Sequence, residues 1–173
     1  MPVSLKPHPS GLAGPLTEIE VYLDRREGSL WLRFVTWGDV DRIAWPAAEE
    51  AGRADDLWKH TCFECFLRTD DGYHEFNLSP SGQWAAYRFD GYRAGMAIAS
   101  EAAEVAPLDG AWDMVALEAV IDLPSQVEAL GLSAVIEDVN GAKTYWALAH
   151  PSDKPDFHHP DSFTLVLPVP EHP

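Results

Sequence analysis

Residues 57–84, LWKHTCFECFLRTDDGYHEFNLSPSGQW, decide the fold. Two runs with alternating side chains, 62–68 and 73–79, flank Thr69-Asp70-Asp71-Gly72. Acidic residues and glycine between such runs are typical of a β-hairpin. A four-residue connection pairs Arg68 with Tyr73 and therefore pairs Glu64 with Asn77.

The two faces of this hairpin differ in chemistry, because successive side chains of a strand point to opposite faces. One face is apolar apart from a single histidine: Phe63, Cys65, Leu67, His74, Phe76 and Leu78. The other mixes acidic, aromatic and polar groups: Cys62, Glu64, Phe66, Arg68, Tyr73, Glu75, Asn77 and Ser79. We predict that the first face lies in the core and that the second is the candidate site.

A third strand is predicted after the turn Ser79-Pro80-Ser81-Gly82, since proline presets φ and glycine accepts a positive φ. Pairing Leu78 with Gln83 turns the side chain of Arg88 toward the polar face. That face then collects four candidate ligand-binding groups: Glu64, Glu75, Asn77 and Arg88. The alternative is a solvated sheet face on which glutamate and arginine simply pair across strands.

Short alternating segments between turn signals continue along the chain. Residues 47–53 and 124–130 predict short helices, residues 162–167 predict a final strand, and Asn140-Gly141 marks another hairpin. About nine or ten strands with one or two short helices indicate an all-β fold, an antiparallel β-sandwich of immunoglobulin-like or jelly-roll-like type. We expect an extended N-terminal arm over 1–16, one β-sandwich domain over 17–168, and a tail over 169–173.

The composition limits the classes of binding partner that we expect for this protein. The formal charge is −16, from 12 basic and 28 acidic residues, which argues against nucleic acid and anionic membranes as partners. This negative charge is compatible with a neutral or cationic ligand, or it serves solubility alone. No stretch approaches the roughly 20 apolar residues of a membrane span. The proline-rich start of the chain lacks the apolar region of a signal peptide, so we expect a cytoplasmic protein.

Cys62 and Cys65 form a C-x-x-C spacing, which on a helix or knuckle serves redox chemistry or zinc. Here the spacing falls inside a strand pattern. Residues i and i+3 of a strand point to opposite faces, so the two sulfurs are predicted to be unbridged thiols.

A late histidine-rich loop offers ligands that suit a transition metal: His150, Asp153, Asp156, His158, His159 and Asp161. The alternative, which the absence of a fixed ligand spacing favours, is a proline-stiffened loop whose polar groups meet solvent.

Three stretches together resemble a known family: LWKHTCFECFL, YHEFNLSPSGQW and PDFHHPDSFTLVL. They are similar to the family 9 carbohydrate-binding modules and the wider DOMON-like group, from about Thr17 to Leu167. The distinctive features are the spacing of Trp58 and Glu64, the E-F-N-x-x-P-x-G turn, and the late aromatic residue three positions before Pro160.

The resemblance implies a β-sandwich that binds sugar ends between two aromatic rings, here Trp58 and Phe157. It implies that Glu64 accepts hydrogen bonds from sugar hydroxyls. Asn77 and Lys154 stand where those modules have an arginine and an asparagine, and Arg88 could restore the lost guanidinium. The modules also bind structural calcium, whose ligands cannot be assigned in this sequence.

Three functions follow from these patterns. The first is a non-catalytic module that binds a carbohydrate or sugar-like small molecule. The second is a carbohydrate-processing enzyme that uses Glu64 and Glu75, since glycosidases place two carboxyl groups around the scissile bond. The third, suggested by DOMON-like relatives, is haem binding with iron ligands among Met96, Met114 and His74.

Overall fold

The computed structural model describes residues 1–11 and 13–167, which form thirteen strands and three short 3-10 helices. The predicted tail and the last residue of the predicted domain lie outside the described residues. The strands are β1 (Val3–Pro7), β2 (Leu16–Arg26), β3 (Ser29–Gly38), β4 (Gly52–Arg53), β5 (Cys62–Thr69), β6 (Gly72–Leu78), β7 (Gln83–Phe89), β8 (Ala97–Ile98), β9 (Ala103–Val105), β10 (Asp109–Ala111), β11 (Met114–Asp122), β12 (Ala129–Glu137) and β13 (Lys143–Ala147). The 3-10 helices span Val40–Arg42, Leu57–Lys59 and Pro160–Ser162.

The strands run in the order β10-β11-β3-β2-β1-β13-β12-β5-β6-β7-β4, with β8 beside β7 and β9 beside β11. The strand pairs are antiparallel apart from the parallel pair β4–β7. The all-β prediction is confirmed. More strands are present than predicted because β4, β8, β9 and β10 are two or three residues long, too short to show alternation. No helix of the described residues is long and apolar enough to cross a membrane.

The stretch predicted as an extended arm contains a structural strand. Strand β1 pairs with β2 on one side and with β13 on the other, and so joins the two halves of the sheet. Its one buried side chain, Leu5, belongs to the core. Strand β1 is therefore an internal part of the sheet and does not project from it as an arm.

The core lies between the two halves of the curled sheet. Phe34 of β3 and Phe63 of β5 meet there, with ring centroids 5.0 Å apart. Both rings are fully buried, as are Ile19 and Leu117 of one half and Leu132 of the other. Burying each such side chain contributes about 1.5–3 kcal/mol, so this layer supplies most of the stability of the fold.

The central hairpin has the predicted register. Arg68 pairs with Tyr73 and Glu64 pairs with Asn77. Both cysteines are buried and unbridged, as predicted. Cys65 packs in the core, whereas Cys62 lies on the other face, where burial and the nearby Glu64 raise the pKa of its thiol.

The predicted register of β7 is wrong by one residue. Leu78 pairs with Trp84, and Arg88 therefore pairs with His74 on the opposite face from the candidate site. The turn explains the shift, because the Ser79 N–H donates to the Gln83 carbonyl (2.9 Å) and leaves three residues in the loop. Gly82 closes that loop with a φ of +92°. A one-residue slip turns every side chain of a strand to the other face.

The predicted helices over 47–53 and 124–130 are absent. Gln126 has a left-handed φ of +60°, which interrupts a helix, and Leu130 is already paired with Leu67 in β12. Residues 47–51 are irregular and lead into β4. The predicted final strand over 162–167 is reduced to a single bridge between Leu165 and Leu130, after the 3-10 helix at Pro160–Ser162.

Candidate functional site

A cavity of about 930 Å³ opens on the polar face of β5–β7. Its walls carry aromatic rings from four separate parts of the chain: Trp58, Tyr87, Phe89, Tyr145 and Phe157. Its ionisable groups are Asp55, Asp56, Glu64, Glu75, Arg93, Lys143 and His158. Cavities of this size with several rings and a few convergent polar groups are typical of small-molecule sites.

Trp58 and Phe157, the two rings named from the sequence, both line this cavity. Trp58 lies in the 3-10 helix Leu57–Lys59, which follows Asp56 in the left-handed region (φ +62°). Its side chain is 50% exposed, as a rim residue should be. Phe157 is half-buried and lies 6.1 Å from Tyr145, measured between ring centroids. The rings thus form walls against which the flat face of a ligand can pack.

Glu64 and Glu75 form the floor of the cavity, on adjacent strands. Their exposed fractions are 3% and 6%. The Ser133 hydroxyl donates to Glu64 Oε2 at 3.3 Å. Burial, followed by the charge of Glu75, raises the pKa of Glu64 well above its ordinary value. Burial also raises the pKa of Glu75 to about 7, although Asn77 and Arg93 lower it in part. Near neutral pH the pair therefore retains a proton.

A row of polar side chains leads from Glu75 to the loops above it. His158 Nε2 lies 3.6 Å from Glu75 Oε2, and the Tyr73 hydroxyl lies 2.8 Å from His158 Nδ1. The Tyr73 oxygen accepts the backbone N–H of Arg93 (3.1 Å), so its own proton can be donated to Nδ1. Burial lowers the pKa of His158 to about 4, so the ring is neutral at pH 7, with its proton on Nε2 facing Glu75.

Asp156 ties together the two loops that cover this end of the cavity. Arg93 donates to its carboxylate at 2.8 Å, and the Tyr92 hydroxyl donates to its other oxygen. The backbone N–H of His158 donates to the same carboxylate at 3.2 Å. Burial acts against ionisation, but these donors together hold the pKa of Asp156 below its ordinary value. Arg93 and His158 are therefore fixed relative to each other.

Asn77 is 1% exposed and lies beside the carboxyl pair, opposite Glu64 across the hairpin. Neither amide atom makes a hydrogen bond of good geometry among the described residues, but the amide lies close enough to Glu75 to act on it as a weak hydrogen-bond donor and lower its pKa. A buried amide without partners is rare, since each unmade hydrogen bond costs about 1–3 kcal/mol.

Three residues named from the sequence, Asn77, Arg88 and Lys154, are not among the residues that line this cavity, although Asn77 lies beside Glu75. Arg88, placed by the wrong register on the floor, is exposed and lines a second cavity of about 400 Å³ with His74 and Glu101. Lys154 is exposed and is not among the lining residues, although its neighbour Pro155 is.

Several lining residues were not found from the sequence. Tyr87 stands beside Glu75, on the face where Arg88 had been expected, and donates to Asp55. Tyr145 enters because β13 pairs with β12, which pairs with β5. The alternation of residues 142–148 was a signal for Tyr145, but only the strand order brings it to the site.

The candidate metal and haem ligands are dispersed. Among the described residues, 1–11 and 13–167, no three His, Cys, Asp or Glu side chains form a metal-binding group. His150 bonds to the Lys6 carbonyl, whereas His158 faces the cavity. Met96 lines the large cavity, His74 lines the smaller one, and Met114 lies in β11 of the other half. Structural calcium remains a prediction.

No protein-family model and no curated protein matches the sequence. The fold is similar to the crystal structure of a "putative carbohydrate-binding protein" from Bacteroides uniformis, with a TM-score of 0.58 and 14% sequence identity. The match covers 84% of this chain and 76% of that chain. At this identity the likeness establishes a shared fold.

Proposed function

We propose that the large cavity binds the end of a carbohydrate, or a sugar-like small molecule, without altering it chemically. The observation that carries the proposal is the combination of aromatic walls with a floor of two buried carboxyl groups. The resemblance to the family 9 carbohydrate-binding modules and the DOMON-like group supports it, as does the fold shared with the "putative carbohydrate-binding protein" of Bacteroides uniformis.

The chemistry of the cavity suits a sugar. A pyranose presents a flat C–H face, which packs on rings such as Trp58 and Phe157, and hydroxyl groups that need both donors and acceptors. The carboxyl pair offers both, because one acid retains a proton while the other accepts hydrogen bonds. The Nε2–H of His158 adds a further donor beside Glu75.

The floor is also held rigidly. Glu64 and Glu75 project from paired strands, and Ser133 of the neighbouring strand β12 fixes one carboxylate oxygen of Glu64. Asp156 fixes the covering loops. Binding therefore orders few additional groups, which favours affinity in a site of this size.

The proposal is tested by titrating the protein with a panel of mono- and oligosaccharides. Binding is measured by calorimetry and by changes in the amide chemical shifts. We expect at least one sugar to bind and to perturb the amides of residues 57–64 and 155–158. Tryptophan fluorescence is a second readout, with Trp112→Phe as the control that removes a 95% exposed tryptophan outside the cavity. If no saccharide perturbs either signal in the folded protein, sugar binding is excluded.

A second function, glycoside hydrolysis, is favoured by one specific observation. Two buried carboxyl groups line one cavity, and the pKa of Glu75 is about 7, which suits a general acid near neutral pH. His158 stands beside Glu75 as a neutral ring, so it adds no positive charge that would favour the carboxylate. Hydrolysis of an aryl glycoside by the protein, abolished in both Glu64→Gln and Glu75→Gln, would assign catalysis. Binding of sugars without turnover would assign the non-catalytic role.

A further inference from the structure

The carboxyl pair on the cavity floor has no cationic partner. Within the part of the chain that the structure describes, no lysine or arginine forms an ion pair with Glu64 or Glu75. The Ser133 hydroxyl supplies the one hydrogen bond that the Glu64 carboxyl group receives from the described residues. Two acids that are almost fully buried without a counter-ion are costly to the fold, since burial disfavours the charged form.

The other ionisable groups around the pair leave this charge uncompensated. Arg93 acts on Glu75 from a distance but bonds to Asp156. His158 faces Glu75 as a neutral ring, and Cys62 on β5 is held as a thiol by its raised pKa. Lys143 lies at the exposed start of β13. With a formal charge of −16 for the whole chain, the surroundings favour a cation in this place.

The amide of Asn77 leaves a further polar atom unsatisfied beside the carboxyl pair. It is 1% exposed, its oxygen has no hydrogen-bond partner among the described residues, and its N–H side acts on Glu75 as a hydrogen-bond donor that lowers the pKa of that acid. Its oxygen is an acceptor that the protein leaves unused beside two carboxyl groups. A ligand group with several N–H donors, such as an ammonium with three, would satisfy both carboxyl groups that line the cavity.

We propose that the sugar bound in this cavity carries a protonated amine, which is held by Glu64 and Glu75, the two buried carboxyl groups that line the cavity. The inference rests on the proposed function and narrows its ligand to amino sugars with a free amine. When the ammonium enters, both acids become carboxylates and the proton they had retained leaves to solvent. The three N–H donors then replace that single proton as the partner of the pair.

A neutral sugar satisfies the site less well. Its hydroxyl groups can hydrogen-bond to the carboxyl groups, but they supply no positive charge to offset the buried negative charge. A charge-assisted hydrogen bond is stronger than a neutral one by an amount that corresponds to roughly tenfold in affinity. The difference in affinity between an amino sugar and its N-acetylated form therefore measures the proposed contact directly.

The experiment compares D-glucosamine and D-galactosamine with their N-acetyl forms and with D-glucose and D-galactose. Calorimetry of the unmodified protein at pH 7 in two buffers of different ionisation enthalpy reports both affinity and proton release. We expect at least one free amine to bind about tenfold more tightly than its N-acetyl form, with release of up to about one proton. Glu64→Gln and Glu75→Gln should each remove most of this preference, and Glu50→Gln, on an exposed loop, should keep it.

The outcomes separate the inference from the proposed function. If neutral or N-acetylated sugars bind as tightly as the free amines, the amine contact is wrong and sugar binding stands. If none of the sugars binds to the folded protein, the inference and the proposed function both fail. The comparison of amine and N-acetyl forms needs no variant, so a folding defect in a glutamine variant cannot obscure the result.

Discussion

The two faces of the β5–β6 hairpin are buried to nearly the same degree but differ in what burial does. On the core face, Phe63 and Phe76 have exposed fractions of 1% and 0%, and removing their area from water stabilises the fold. On the cavity face, Glu64 and Glu75 have exposed fractions of 3% and 6%, and burying them destabilises it. The cost of burying this carboxyl pair is consistent with the ligand site that we propose on the cavity face.

The largest expected effect is on the core face. Phe76→Ala removes a fully buried ring between the two halves of the sheet and should lower the free energy of unfolding by about 3–5 kcal/mol. Urea denaturation measures the loss. Glu75→Gln, at the adjacent position on the opposite face, is the matched variant and should not destabilise the protein at neutral pH. A loss below about 1 kcal/mol for Phe76→Ala would contradict a single core shared by the two halves.

The second prediction concerns the pH dependence of stability on the cavity face. Burial raises the pKa of Glu75 to about 7 in the folded protein, against about 4.3 when unfolded. The folded state then binds more protons between these values, so this group lowers stability as the pH rises from about 4.3 to 7. Burial of His158 lowers its pKa to about 4. Up to about pH 6.5 this group therefore raises stability as the pH rises, and it partly offsets the effect of Glu75 in the unmodified protein.

Glu75→Gln removes this group, together with the part of the raised pKa of Glu64 that the charge of Glu75 causes. The free energy of unfolding of the variant, minus that of the unmodified protein, should rise between pH 4.5 and pH 7.5 by on the order of 3 kcal/mol. Urea midpoints across this range measure it, and the exposed Glu50→Gln serves as a control with a flat difference. A flat difference for Glu75→Gln as well would mean that Glu75 is solvated and that the cavity floor is not buried in solution.

The hairpin could be predicted from sequence because local information is sufficient there. Alternation between Cys62 and Leu78 and the acidic connection at Thr69–Gly72 together specify faces and register. The next strand lacks such information, since Ala85 and Ala86 fit either face of QWAAYRF. The choice between Trp84 and Gln83 as the partner of Leu78 then depends on how the turn at Ser79–Gly82 closes, which the residue types alone leave open.

The site could be predicted in part for the same reason. Trp58, Glu64 and Glu75 lie close together in the chain, and strand alternation relates the two acids. Tyr145 and Arg93 reach the cavity through the order of the strands and through a loop held by Asp156. Periodicity carries no information about which strands become neighbours, so these residues require the structure.

The third prediction separates a binding ring from a stabilising ring. Trp58→Ala should weaken binding of the best sugar of the panel by about 1 kcal/mol, or roughly fivefold, because it removes a wall of the cavity. The free energy of unfolding should change by less than about 1 kcal/mol, since half of the side chain is already exposed. Trp112→Ala, at a 95% exposed position outside the cavity, should change neither quantity. Unfolding of Trp58→Ala would instead make Trp58 a core residue.

The smallest expected effect belongs to Arg88, which distinguishes the two possible registers of β7. Because Arg88 pairs with His74, its guanidinium lies on the far side of the strand from Glu64 and Glu75. Arg88→Ala should therefore leave sugar affinity unchanged and alter stability by no more than about 0.5 kcal/mol, as is usual at exposed positions.

Arg93→Ala is the comparison on the cavity side, where loss of the bond to Asp156 should loosen the covering loops and weaken binding several-fold. Calorimetry with the same sugar measures both variants. If Arg88→Ala weakens binding as much as Arg93→Ala does, then Leu78 pairs with Gln83 in solution, and the guanidinium belongs to the cavity floor.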